Sequence, residues 1–132
     1  MQKIERLCVT GSKSISDKQF VYDCLDRVYH KYKFKKIIVG DSKGVDEVAK
    51  QYAKDHDLDL RTFKADWHVY GQKAGEIRNT KMVEVLEVDD KGIAIWDGNS
   101  QDAVDCINKL KKENKLLYVF RYDRKHDYEF TE

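Results

Sequence analysis

The stretch at residues 65–79, ADWHVYGQKAGEIRN, holds the densest binding chemistry in the chain. Trp67 and Tyr70 offer aromatic faces on which a base can stack. Gly71 and Gly75 let backbone come close to a ligand, and Arg78 with Asn79 supplies bidentate and amide hydrogen bonding near the start of a helix. Small, polar and acidic residues gather after each of four apolar runs: Thr10, Gly11, Ser12 and Lys13; Gly40, Asp41 and Ser42; Asp66 beside Trp67 within that same stretch; and Asp97, Gly98, Asn99 and Ser100. Glycine admits backbone amides close to an anion, a helix N-terminus adds partial positive charge, and hydroxyls donate, so such loops suit phosphate or ribose. The same residues have a plain structural use, in which Gly11, Gly40 and Gly98 turn the chain while Ser12, Ser42 and Ser100 cap helices. Equally, Trp67 can be core and Arg78 can pair with Glu76 or Asp46.

The elements that must position these residues follow from hydrophobic spacing. Residues 4–10 form an apolar, β-branched run stopped at Gly11, the pattern of a buried strand. Ser16 to Gln19 matches a capping box, after which Val21, Leu25, Val28, Tyr29 and Tyr32 recur at helical spacing up to about Lys33. A second strand, residues 36–40, leads through Asp41 and Ser42 into a helix whose Val45, Val48, Ala49, Tyr52 and Ala53 share a side. Residues 58–63 form a third strand, with Asp59 and Arg61 alternating as at a sheet edge. Beyond residues 65–71, a helix over 73–88 turns Ile77, Met82, Val85 and Leu86 inward. A strand at 92–96, a helix at 100–112 and a last strand at 115–120 complete the pattern. Strict alternation implies a parallel sheet covered on both faces, because each right-handed crossover needs a helix. The expected fold is therefore a single α/β, Rossmann-like three-layer domain with strand order 3-2-1-4-5. In that order the winding reverses between the first and fourth strands, which opens a crevice at the strands' carboxyl ends.

Bulk composition narrows the function classes. The 132 residues suit one domain, and 25 Lys and Arg against 24 Asp and Glu leave a formal charge of +1, too little for a global attraction to nucleic acid or anionic membrane. Cys8, Cys24 and Cys106 have neither metal-knuckle spacing nor the even count of a secreted disulfide framework, which fits a cytoplasmic protein with buried thiols. Charges at Lys3, Glu5 and Arg6 argue against a signal peptide, and no apolar run approaches the ~20 residues of a bilayer span. His30, His56, His68 and His126 are scattered, so neither a metal nor a resident cofactor is expected. There is no GxGxxG at the first turn and no GxxxxGK[ST] anywhere, which disfavours a dinucleotide dehydrogenase and a P-loop NTPase. Residues 1–120 are expected to form the domain. Residues 121–132, charged with Tyr122, Tyr128 and Phe130 interspersed, form an edge strand, a partner-binding tail or a solvated end.

The segments VTGSKSISD (9–17), GDSKGVDEVAKQYA (40–53), ADWHVYGQKAGEIRN (65–79) and IAIWDGNS (93–100) resemble the SLOG superfamily, the Rossmann-like group that includes DprA and the Lonely Guy phosphoribohydrolases, and specifically its small YspA/YpsA-related branch. The third segment is the specific one, and the resemblance runs from about residue 7 to residue 120. It implies Gly11 and Ser12 against phosphate, Gly44 and Asp46 shaping the second loop, Arg78 and Asn79 facing the ligand, and Asp97, Gly98 and Ser100 closing the other wall. It also implies homo-oligomers. Relatives carry a Gly-Thr pair at the start of the last helix where this chain has Asp102 and Ala103, and a carboxylate there repels a phosphate placed beside it. The Lonely Guy PGGxGT signature is absent.

Three functions remain open at this point. The first is binding or sensing of a nucleotide-derived small molecule, such as a nucleotide, a nucleotide sugar or an ADP-ribose-like compound, in nucleotide signalling or phage–host conflict. The second is hydrolysis of an N-glycosidic or phosphate bond in such a ligand, with Asp46, Asp66, Asp97 or Glu76 as acid or base. The third, less favoured, is single-stranded nucleic-acid binding through Lys31, Tyr32, Lys33, Phe34, Lys35 and Lys36.

Overall fold

The computed structural model describes residues 3–128 and 130. Its sheet consists of β1 (Arg6–Gly11), β2 (Lys36–Val39), β3 (Asp59–Thr62), β4 (Lys91–Trp96) and β5 (Leu116–Arg121) in the order β3-β2-β1-β4-β5. Every adjacent pair is parallel, with Val9 opposite Val39 on one side and Ile93 on the other. The connections are α1 (Lys18–Tyr32), α2 (Val45–Asp55), α3 (Trp67–Tyr70), α4 (Ala74–Glu84) and α5 (Gln101–Lys112), with short 3-10 turns at Gly71–Lys73 and Tyr122–Asp127. This is an α/β, Rossmann-like layout with the expected strand order.

Alternate residues of each strand point to opposite faces of the sheet, and the two faces bury different cores. Leu7, Val9, Ile37, Val39, Ile93 and Ile95 pack with Val21, Leu25 and Val28 of α1 and Ala49, Tyr52 and Ala53 of α2. On the other face Cys8 and Ile38 meet Met82 and Val83 near the end of α4 and Cys106 and Leu110 of α5. The second core is thinner and stops short of the starts of α4 and α5, where polar chemistry takes over.

Two local details differ from the sequence reading. Asp17, one residue beyond the expected Ser16, caps α1 by accepting from the Phe20 N–H at 3.1 Å. Lys33 ends that helix in a left-handed conformation with its N–H on the Tyr29 carbonyl. The second difference is larger: α4 ends at Glu84, and its buried face is Ala74, Gly75, Arg78, Asn79, Met82 and Val83, with Ile77 only half-buried. The apolar spacing predicts a different face because Arg78 and Asn79 count as polar and outward. Inside the fold they have partners, and those partners set the rotation of the helix.

At the opposite end of the sheet, Arg6 on β1 grips Asp90 ahead of β4 through Nε at 2.9 Å and Nη2 at 2.6 Å, and donates from Nη2 to the Val85 carbonyl. This pair joins positions 84 residues apart and fixes the turn that ends α4. The C-terminal segment folds back over α1. Phe20 packs edge-on against Tyr122 and Phe130, and the Tyr128 hydroxyl accepts from the Arg121 N–H. The expected tail also takes in residues 129, 131 and 132, which lie outside the described residues, as do residues 1 and 2 of the expected domain. Among the described residues no helix is long and apolar enough to cross a membrane.

Candidate functional site

A cavity of about 290 Å³ opens at the carboxyl end of the sheet. Gly11 and Lys13 from the β1 loop and Ser42 from the β2 loop form one side. Trp67 of α3 and Gln72, Gly75 and Glu76 around the start of α4 form a second, and Ser100, just ahead of α5, with Gln101, Asp102 and Asp105 of α5 a third. The position is the reversal point between β1 and β4, where an open α/β sheet leaves a crevice because the crossovers diverge.

Each wall has a local cause. Asp66 caps α3 by accepting from the Val69 N–H at 3.1 Å, which sets Trp67 at the cavity with 57% of its surface exposed. The Trp67 ring tip lies 3.6 Å from where a Cβ on Gly75 would stand, an ordinary contact, whereas Asp102 Oδ1 at 2.8 Å would have to move, so the missing side chain makes room for the Asp102 carboxylate against the α4 backbone. Gly44, at φ 72°, is pressed against the backbone carbonyls of Ser12 and Lys13, so the first turn of α2 nests into the β1 loop.

Beneath the cavity lies a buried polar cluster centred on Arg78, which is 3% exposed. Its Nη1 donates to Asp41 Oδ1 at 3.1 Å and Ser42 Oγ at 3.2 Å, and its Nη2 to Asp102 Oδ2 at 2.8 Å. Nε and Nη2 also share Asn79 Oδ1, while Asn79 Nδ2 reaches Asp102 and Asp105 Oδ2. One guanidinium thus ties the β2 loop to the first turn of α5 across α4. Burial alone would lower the Arg78 pKa, but Asp102, Asp41 and Asp46 outweigh it and raise it above the ordinary value. Asp46 sits against Gly40 and Arg78 and accepts from the Ser42 N–H at 3.0 Å. Burial pushes its carboxyl up to about 7, although the Ser42 bond and Arg78 pull the other way. Asp41 accepts from the Ala65 N–H as well, which joins the β2 and β3 loops. Among the described residues no buried side-chain polar atom lacks a partner.

The β1 and β4 loops are stitched together at the far side. The Asp97 N–H donates to Ser12 Oγ at 3.0 Å, and the Asp97 carboxylate accepts from Ser14 Oγ, the Asn99 N–H and the Ser100 N–H at 2.7 to 2.8 Å. Burial would raise this carboxyl, but those bonds prevail and hold it down to about 2. Gly98, at φ 86°, faces Asp123 and Arg121 of the C-terminal segment instead of the cavity.

The expected site residues therefore divide into three groups. Gly11, Lys13, Ser42, Trp67, Gly75 and Ser100 line the cavity. Gly40, Asp41, Asp46, Arg78 and Asn79 form the cluster below it, with Gly40, Asp46, Arg78 and Asn79 buried. Ser12, Gly44, Asp97 and Gly98 build the loops that frame it. Spacing alone did not single out Gln72, Gln101 or Asp105. The available signal was helical: Gln72, Gly75 and Glu76 on one helix start, and Gln101, Asp102 and Asp105 on the next, recur at three- and four-residue intervals and so share faces. In the lysine-rich stretch at the other rim, Tyr32 and Phe34 are buried in the core, while Lys31, Lys33 and Lys35 are exposed.

The gene 61 protein of Mycobacterium phage D29 is 30% identical over 115 residues, covering 83% of this chain and 90% of the phage protein. No solved structure matches the chain significantly. The model of the YspA, cpYpsA-related SLOG family matches residues 5–70, which span β1 through α3 and carry the Gly11, Gly40 and Trp67 loops, and the chain belongs to that family.

Proposed function

We propose that this protein binds a nucleotide-derived small molecule in the cavity between α3, α4 and α5, with a base stacked on Trp67. The observation that carries the reading is Trp67 itself: a 57% exposed indole forming the wall of a cavity at the sheet's reversal point, with Gly75 on the same wall. A ligand base that covers such a ring buries apolar area on both partners and gains the stacking preference of aromatic pairs. Membership of the SLOG family supports a nucleotide-related ligand. On this reading Gly11, Lys13, Ser42, Gly75 and Ser100 contact the ligand directly, while Arg78, Asn79, Asp41 and Asp46 hold the walls in place.

Binding is favoured over hydrolysis by where the four carboxylates fall. Asp66 and Asp97 accept from backbone N–H groups at helix starts, Asp46 lies under Ser42 off the cavity wall, and Glu76 is the one of the four on the wall. A cytoplasmic setting accords with three free, buried cysteines. Of the two settings, nucleotide signalling and phage–host conflict, the phage origin of a relative supports the second. Exposed Val69 and Tyr70 beside the cavity support the homo-oligomer that the family resemblance implies.

The test is a thermal-shift panel of nucleosides, nucleotides, nucleotide sugars and ADP-ribose. A ligand at one hundred times its dissociation constant stabilises the fold by about 2.7 kcal/mol, a shift of several degrees. At least one member should raise the melting temperature of the wild type and leave Trp67→Ala unmoved. A panel without any shift sinks the reading.

A further inference from the structure

The inner wall of the cavity is built like an anion cradle, and the chain fills that cradle itself. The Arg78 guanidinium, the Asn79 amide and the bare backbone of Gly75 converge on one group, the Asp102 carboxylate in the first turn of α5. Arg78 Nη2 donates to Asp102 Oδ2 at 2.8 Å, Asn79 Nδ2 lies 3.3 Å from Oδ1, and Oδ1 stands 2.8 Å from where a Cβ on Gly75 would be. The Asp102 side chain is 43% exposed and lines the cavity, so it meets whatever enters.

The remaining charges on the wall point the same way. Asp105 is held by Lys109 at 2.5 Å, Glu76 is exposed nearby, and among the described residues Lys13 is the one basic side chain lining the cavity. A phosphate brought to the inner wall would meet Asp102 and Glu76, with the Arg78 charge already engaged by Asp102 and Asp41. A hydroxyl or amino group brought to the same place would donate to a carboxylate whose position is preset by two other bonds, a charge-assisted and therefore strong contact.

We propose that Asp102 is the specificity residue of this pocket, admitting the hydroxyl or amino groups of a nucleoside at the inner wall and turning phosphate away. The proposal rests on the nucleotide-derived ligand read above and names which part of it enters.

The experiment is titration of the purified protein with adenosine, guanosine, cytidine and uridine and with their 5′-diphosphates, followed by calorimetry or thermal shift. In the wild type the best nucleoside should bind more tightly than its diphosphate by about 10-fold. In Asp102→Asn, which keeps the shape and an acceptor for Arg78 but removes the charge, the diphosphate should gain about 10-fold and the order should reverse. Should Asp102→Asn not fold, the wild-type order still decides, and Glu76→Gln should shift the ratio in the same direction. A wild type that prefers the diphosphate, or a ratio that Asp102→Asn leaves unchanged, overturns the specificity role while Trp67-dependent binding stands. If neither nucleosides nor diphosphates nor the wider panel shift the wild type, the binding reading itself has failed and this proposal falls with it.

Discussion

Asp46, 5% exposed beneath the β2 loop, carries a carboxyl whose folded pKa of about 7 lies above its ordinary value of 3.8. A group that holds its proton more tightly when folded contributes stability that is complete below the unfolded pKa and is lost as pH rises through the folded one. The relevant window runs from 3.8 to about 7, and the groups facing the carboxyl are Arg78, Asp102, Lys50 and the Ser42 N–H. Across that window the urea midpoint of the wild type should fall as pH rises, and it should level off above about 7. Asp46→Asn, which can still accept from Ser42, should flatten that slope, and an unchanged slope would show that Asp46 is not the titrating group. Asp97 acts in the opposite sense lower on the scale. Its folded value of about 2 means stability present above 3.8 that disappears as pH falls through 2.

Within α4, positions that would carry apolar side chains in an ordinary amphipathic helix carry Arg78 and Asn79, and Gly75 stands where a larger residue would close the cavity. Gly75→Ala isolates that last effect. Alanine gains at most about 1 kcal/mol of helix propensity over glycine, and the new Cβ meets Asp102 Oδ1 at 2.8 Å, so the carboxylate must shift against its bonds from Arg78 and Asn79, which offsets that gain. The variant should thus melt within a few degrees of the wild type yet lose most of the ligand-induced shift, since its methyl group enters between Trp67 and Asp102. Retention of the full shift would place the ligand elsewhere. The β1 and β4 loops, joined through Ser12, Ser14 and Asp97, show the complementary arrangement, in which polar residues serve the frame.

Across the whole molecule, a formal charge of +1 supplies no long-range field toward a polyanion. The basic stretch at residues 31–36 lacks what sequence-independent strand binding needs besides charge, because Tyr32 and Phe34 are core residues and present no stacking face. Fluorescence anisotropy of a labelled single-stranded oligonucleotide should accordingly stay flat on addition of the protein at low ionic strength, where backbone contacts are strongest. Saturable binding there would revive a nucleic-acid role. The C-terminal segment adds a second global feature: Phe20, Tyr122, Tyr128 and Phe130 form an aromatic cluster that holds residues 122, 128 and 130 against α1.

The amino-acid order alone determined the sheet. Apolar runs such as residues 36–40 and 92–96, separated by helical periodicity, allow few arrangements once crossovers must be right-handed and both faces covered. The loops that meet at the reversal point follow from the same logic, and so does the grouping of Trp67 and Gly75 with Gly11 and Ser42. What only the tertiary structure decided is which polar residues face the cavity and which serve one another. Periodicity assigns a charged residue outward by default, whereas Arg78 points inward because Asp41 and Asp102, 37 and 24 residues away along the chain, repay its desolvation. Gly98 turns toward the C-terminal segment for a similar reason: Arg121 and Asp123 stand beside it, and that neighbour is brought by folding and not by spacing.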